Sequence, residues 1–275
     1  MDSSPFRVKK GTGMRRSLAL AATFLLAFTV SLAGQMRHVD DKDLSTYLAG
    51  VTERGRALYA YDQAAWHGTD AFFAIHPDTN GLTHYICMKT AAGWEVAFPR
   101  WNETHDRLLV AYEAKQAGGP EDFTAVKYDP PREGPDDLVA KERALELAIG
   151  DFGTPNRPYN TAILPAEDGN LYVYLYPAQT KSDVWPLGGD VRYTISADGK
   201  QILEKRQLHK AILDFQFDPK LKIVAGNHSH VLSDVPEDTD VLYVLTRRPS
   251  IPEYIGTAKH IFVVDTDGSI QVVKK

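Results

Sequence analysis

The chain carries a single cysteine, Cys87, in 275 residues. One thiol excludes an intramolecular disulfide, so a packed core must hold the fold even in an oxidising compartment. It also excludes a lipoprotein anchor, which needs a cysteine directly after the cleaved leader. Cys87 itself lies in the strand-like run THYICMKT and reads as a small buried apolar side chain. On a strand, His84 points to the opposite face, so a Cys–His nucleophile is not expected there. H-E-x-x-H and G-x-S-x-G are both missing, which removes the commonest zinc-peptidase and serine-hydrolase signatures. Basic charge is scarce too: 31 Lys+Arg stand against 36 Asp+Glu. Residues 1–33 hold five of those bases and one acid, leaving 26 bases and 35 acids, a net charge of −9, in the remainder. Such a surface repels phosphate backbones, and a nucleic-acid partner is not expected.

The N-terminus is the most specific feature present. Met14-Arg15-Arg16 is basic, the run Ser17–Ala33 is uncharged, and Ser31-Leu32-Ala33 offers small residues at a cleavage site. This is the pattern of a secretory signal. The run is shorter than the ~20 residues of a spanning helix. Residues 1–13 read as an extra leader or a mis-assigned start, and contact with the membrane is expected only during export. The expected location is therefore extracytoplasmic, periplasmic or secreted, with about 240 residues left to fold.

Within those residues, Leu44, Leu48, Val51, Leu58, Ala65 and Trp66 recur at helical spacing and predict a helix over about 43–66. Gly55 interrupts it where another element would approach closely. Asp62 sits beside the stripe and, if buried, needs a partner among Arg54, Arg56 and His67. Four strands are expected next, in LTHYICMKT, GWEVAFPR, RLLVAYEAKQ and FTAVKYD, paired antiparallel because their connections are short. DPPREGPDD (129–137) reads as a linker between domains of 34–130 and 137–275. A second helix follows, capped by Asp136 or Asp137 and ended by Gly153 and Pro155. Asp168-Gly169, Asp198-Gly199 and Asp267-Gly268 mark three hairpins, so these aspartates are turn residues. LKIVAG, HSHVL, DVLYVLTRR and KHIFVVDTDGSIQVV are expected as strands that extend the second sheet. The fold class is α+β: two units, each a helix packed on an antiparallel sheet.

DLVAKERALELAIGDFG, LYVYLYPAQ and GGDVRYTISADGKQILEKRQ together resemble a PepSY-like domain over residues 137–208. The resemblance implies a helix on an antiparallel sheet, export, and no catalysis by the module itself. Some such modules are inhibitory pro-segments of peptidases, but no peptidase motif is fused here.

Three sets of residues could carry chemistry. His228 and His230, two apart on a strand, share a face and could bind zinc or copper. His209, His260, Asp234 and Asp240 are the candidates for further ligands; the competing reading is a polar loop. Asp62, Trp66, His67 and Asp70 gather an acid, an imidazole and an aromatic, so Asp62 and His67 are candidates for acid–base work. The bland alternative is a helix end docked on a sheet. Tyr172, Tyr174 and Tyr176 alternate toward one face, which is either core or a binding surface. Arg247-Arg248 is expected to make exposed ion pairs. The sequence thus leads first to an exported, non-catalytic protein that binds a protein or peptide partner through a sheet face or edge. A metal-binding protein or metal-dependent enzyme centred on His228 and His230 is the alternative, and a hydrolase using Asp62 and His67 the third.

Overall fold

The computed structural model describes residues 36–218 and 220–274. The expected signal segment lies outside them. No helix among the described residues is long and apolar enough to cross a membrane. The fold is α+β, as expected.

Helix α1 (Leu44–Ala74) runs eight residues past the expected end. Its buried positions continue through Gly68 and Phe72, because Phe72 stacks on Phe98 at 3.9 Å and so pulls the last turns onto the sheet. The first sheet is an antiparallel meander of β1 (Ile86–Thr90), β2 (Gly93–Trp101), β3 (Leu108–Gln116) and β4 (Phe123–Glu133). Here one expectation fails: β4 continues through Asp129–Glu133, half of the stretch read as a linker. An irregularity in the β3–β4 register absorbs the prolines, so their lack of N–H groups does not end the strand. Only Gly134 and Pro135 separate β4 from α2 (Asp136–Phe152). The described residues form one compact unit.

α2 packs with a second antiparallel sheet, ordered β5 (Tyr159–Pro165), β6 (Leu171–Pro177), β8 (Val191–Ile195), β9 (Ile202–Gln207). Asp136 and Asp137 occupy its first turn rather than the cap, where Pro135 stands, and their charge suits the helix N-terminus. β7 (Val184–Gly188) pairs separately with β10 (Ile212–Gln216). All three Asp-Gly pairs sit in tight hairpin turns.

The C-terminal region departs most from expectation. DVLYVLT is not a strand but helix α3 (Asp238–Thr246). Seven of its nine residues are buried, so the run carries no amphipathic period to distinguish helix from strand. LKIVAG is irregular as far as Ala225, with only Gly226 in a strand, and the strands that do form do not extend the second sheet. β11 (Gly226–Ser229), β12 (Glu253–Gly256), β13 (Ile261–Val264) and β14 (Ile270–Lys274) form a sheet of their own. β11 and β12 are parallel, joined through α3.

Three hydrophobic clusters bind these parts. One joins α1 to the first sheet and to β5 and β6; a second joins α2 to both large sheets; a third joins the start of α1, α3 and the last sheet. Gly55 sits at the α1–α3 contact as expected of a close approach. A Cβ there would lie 2.4 Å from the Val241 Cβ and 2.7 Å from the Asp238 carbonyl oxygen. Beside it, Asp238 is fully buried and accepts from Arg54 Nε (3.1 Å), Arg192 Nη1 (2.8 Å) and Tyr174 OH (2.7 Å). This buried network, which ties α1, β6, β8 and α3 together, has no counterpart in the sequence pattern.

Candidate metal centre

The site is assembled from three chain segments within 32 residues. His228 lies in β11, and the ladder continues one step beyond it: His230 N–H donates to the Gly256 carbonyl at 2.9 Å. Strand geometry is thereby kept through His230, and both imidazoles fall on one face, as the His-x-His spacing predicts. His209 follows β9, where Leu208 N–H donates to the Asp190 carbonyl at 3.0 Å and fixes the turn. Asp240 sits at the third position of α3. Its Oδ2 accepts the Glu237 N–H at 2.6 Å, one half of a capping box. The cap orients the carboxylate and leaves Oδ1 facing the histidines.

The four side chains converge. His209 Nε2 lies 2.9 Å from His230 Nε2, and His228 Nε2 lies 3.1 Å from the same atom. Asp240 Oδ1 is 3.1 Å from both His209 Nε2 and His228 Nε2, and Asp240 Oδ2 is 3.3 Å from His230 Nε2. Every one of these side chains is buried.

The outer partners fix the tautomers. His209 Nδ1 faces Asp190 Oδ1 at 2.7 Å, His228 Nδ1 faces Glu253 Oε1 at 2.9 Å, and His230 Nδ1 faces the Val235 carbonyl at 2.9 Å. A carbonyl or carboxylate oxygen only accepts, so each Nδ1 must donate. Each neutral ring then turns an Nε2 lone pair toward the centre. Three lone pairs and a carboxylate cannot face one another at about 3 Å without a cation or added protons between them. Without a metal, protons serve. Burial opposes charge on His209, but Asp190 and Asp240 outweigh it and raise its pKa well above the ordinary value. Burial likewise opposes charge on His228, and its hydrogen bonds to Asp240 and Glu253 push it up to about 9. Asp240 is held well below the carboxylate range: burial would raise it, and the attraction of His230 and His209 prevails.

Glu253 is anchored in turn by Arg247, which also donates to the carbonyls of Ile251 (2.7 Å) and Pro252 (3.0 Å). Arg247 is 1% exposed, so the expected exposed ion pair is instead a buried one. The expectation failed because the run before it was read as a strand. Gly226 makes room for the pair, since a Cβ there would lie 2.0 Å from Glu253 Oε2.

The other candidates fall elsewhere. His260 faces Asp41 at 3.4 Å, and Asp234 faces His38 at 2.7 Å. Asp62 accepts from Tyr176 OH at 2.8 Å, not from Arg54, Arg56 or His67. Arg54 is spent on Asp238, Arg56 on Asp267, and His67 stacks on Trp66 at 4.8 Å. Asp62 and His67, i and i+5 on α1, are thus turned to different neighbours. Tyr174 and Tyr176 are core residues whose hydroxyls reach Asp238 and Asp62. Cys87 is buried, which drives its thiol pKa well up, while His84 pairs with Glu142 at 2.8 Å. His209 and Asp240 were legible as possible ligands. Asp190 and Glu253 were not, because nothing in their local sequence marks them as partners of distant imidazoles. No family model, curated protein or solved structure matches the chain, so its functional reading rests on this geometry.

Proposed function

We propose that this is an extracytoplasmic zinc-binding protein whose ion ties β9, β11 and α3 together and serves a structural role. The observation that carries the reading is the convergence of His209, His228, His230 and Asp240, with each imidazole Nδ1 committed to an oxygen acceptor behind it. A carboxylate or carbonyl behind each ligating histidine is the usual outer arrangement of metal sites. Taking Asp240 Oδ1 and the three Nε2 atoms, four of the six ligand pairs lie 2.9–3.1 Å apart. A tetrahedral zinc with bonds of ~2.0–2.1 Å separates its ligands by ~3.3 Å. Three imidazoles and one carboxylate are donors that zinc takes at such bond lengths. Charge also balances, because a divalent ion with Arg247 offsets Asp190, Asp240 and Glu253.

Four protein ligands complete a zinc tetrahedron and leave no open position for substrate water, which separates structural from catalytic sites. The export pattern at Met14–Ala33 supports the location. Binding of a protein or peptide through a sheet face would call for an exposed aromatic face and scattered histidines; buried Tyr174 and Tyr176 and gathered imidazoles favour the metal reading. The test is metal analysis of protein purified with zinc supplied, beside His228→Ala and His230→Ala. About one zinc per chain in the wild type and none in the variants is expected. Equal content in all three samples would overturn the proposal.

A further inference from the structure

A recess lies beside the metal centre and shares only Asp190 with its outer partners. It is a cavity of about 690 Å³ between the middle of α1, the β6 end, β7 and α3. That is the size of a pocket for a small organic molecule. Its walls are aromatic: Tyr59, Trp66, Tyr85, Tyr176, Trp185 and Tyr243 line it. Trp66 is 58% exposed at the rim of the recess, with His67 stacked on it at 4.8 Å.

The charged groups in the same recess are mainly acidic. Asp62, Asp70 and Asp190 line it, against a single basic residue, Arg248. Arg248 Nη1 donates to the carbonyls of Leu245 (3.2 Å), Thr246 (3.1 Å) and Arg247 (2.9 Å) at the end of α3, and one guanidinium against three carboxylates leaves the lining net negative. Two lining side chains also hold buried oxygens without a hydrogen-bond partner. These are Asp190 Oδ2 and Thr239 Oγ1, on residues 1% and 5% exposed. Buried acceptors left unpaired cost about 1–3 kcal/mol each, so they mark a place where a donor is wanted.

We propose that this recess binds a small organic cation, an amine or quaternary ammonium compound. Aromatic faces attract a cation through their quadrupoles, and carboxylates supply the opposite charge and accept its N–H groups. An anion would meet Asp62 and Asp70, with Arg248 the one basic residue in the lining. The recess shares Asp190 with the metal centre, through its bond to His209, but Asp62, Asp70 and Trp66 make no hydrogen bond to the four ligands, and the two variants tested lie on that separate side.

Choline and putrescine are the probes, titrated into the purified full-length protein and followed by calorimetry and by the fluorescence of Trp66 and Trp185. At least one should bind saturably with Kd below about 1 mM, and the uncharged tert-butyl isostere of choline at least about tenfold more weakly. Asp62→Asn and Asp70→Asn should each weaken binding several-fold, with zinc content and far-UV circular dichroism unchanged. Asp70 is exposed, so its variant carries little risk to folding. No saturable binding of either cation, equal binding of the isostere, preferential binding of a neutral disaccharide such as maltose, or wild-type affinity in both variants would each overturn the proposal.

Discussion

Removal and return of zinc should move thermal stability by an amount that depends on pH in a defined direction. Consider the apoprotein in a chelator first. Folding raises the pKa of His228 from the ordinary 6.5 to about 9. A group whose pKa is raised by folding contributes stability that is complete below the unfolded value and lost as pH rises through the folded one. The apoprotein should therefore lose stability between about pH 6.5 and 9. His209, also raised, adds to the loss in the same direction. Zinc acts oppositely across that window. It must displace the Nε2 proton of His228, so each pH unit below about 9 costs it about 1.4 kcal/mol per displaced proton. With free zinc at ~1,000 times Kd, binding stabilises the fold by about 4 kcal/mol. For a unit of this size, that is an upward shift in Tm of about 8–16 °C. Differential scanning fluorimetry with buffered zinc, at steps from pH 6.5 to 9, measures both effects. The zinc-induced shift should grow with pH, vanish in His230→Ala and survive in His67→Ala. A shift that is flat or falling with pH would refute the reasoning, as would an equal shift in His230→Ala.

Glu253→Gln keeps an acceptor for His228 but removes the charge that faces Arg247, and zinc affinity should drop about 10–100-fold in competition with a chromophoric chelator; unchanged affinity would show that the outer carboxylate does not tune the site. Asp238→Ala strips Arg54, Arg192 and Tyr174 of their common acceptor, and urea unfolding should register a loss of about 3–5 kcal/mol. Gly55→Val drives a side chain into Val241 at the α1–α3 contact, and the expected cost is at least about 1–3 kcal/mol by the same method. Wild-type midpoints in either of these two variants would mean that the contacts described here do not hold the helices together.

Local pattern accounts for much of this protein. The period of Leu44, Leu48, Val51 and Leu58 determined α1, and the three Asp-Gly pairs determined three hairpins, because turn chemistry acts over neighbouring residues alone. The two-residue spacing of His228 and His230 was enough to place their rings on one face. Tertiary structure decided the rest. Val241, Leu242, Tyr243 and Val244 are buried on all sides, so their helix is set by its surroundings, not by periodicity. Placing that helix between β11 and β12 made a parallel crossover and carried Asp240 to the imidazoles. Likewise Asp190 and Glu253 acquired their roles only when folding set them behind His209 and His228, 19 and 25 residues away. A metal site depends on where lone pairs meet in space, and only packing brings together groups so far apart along the chain.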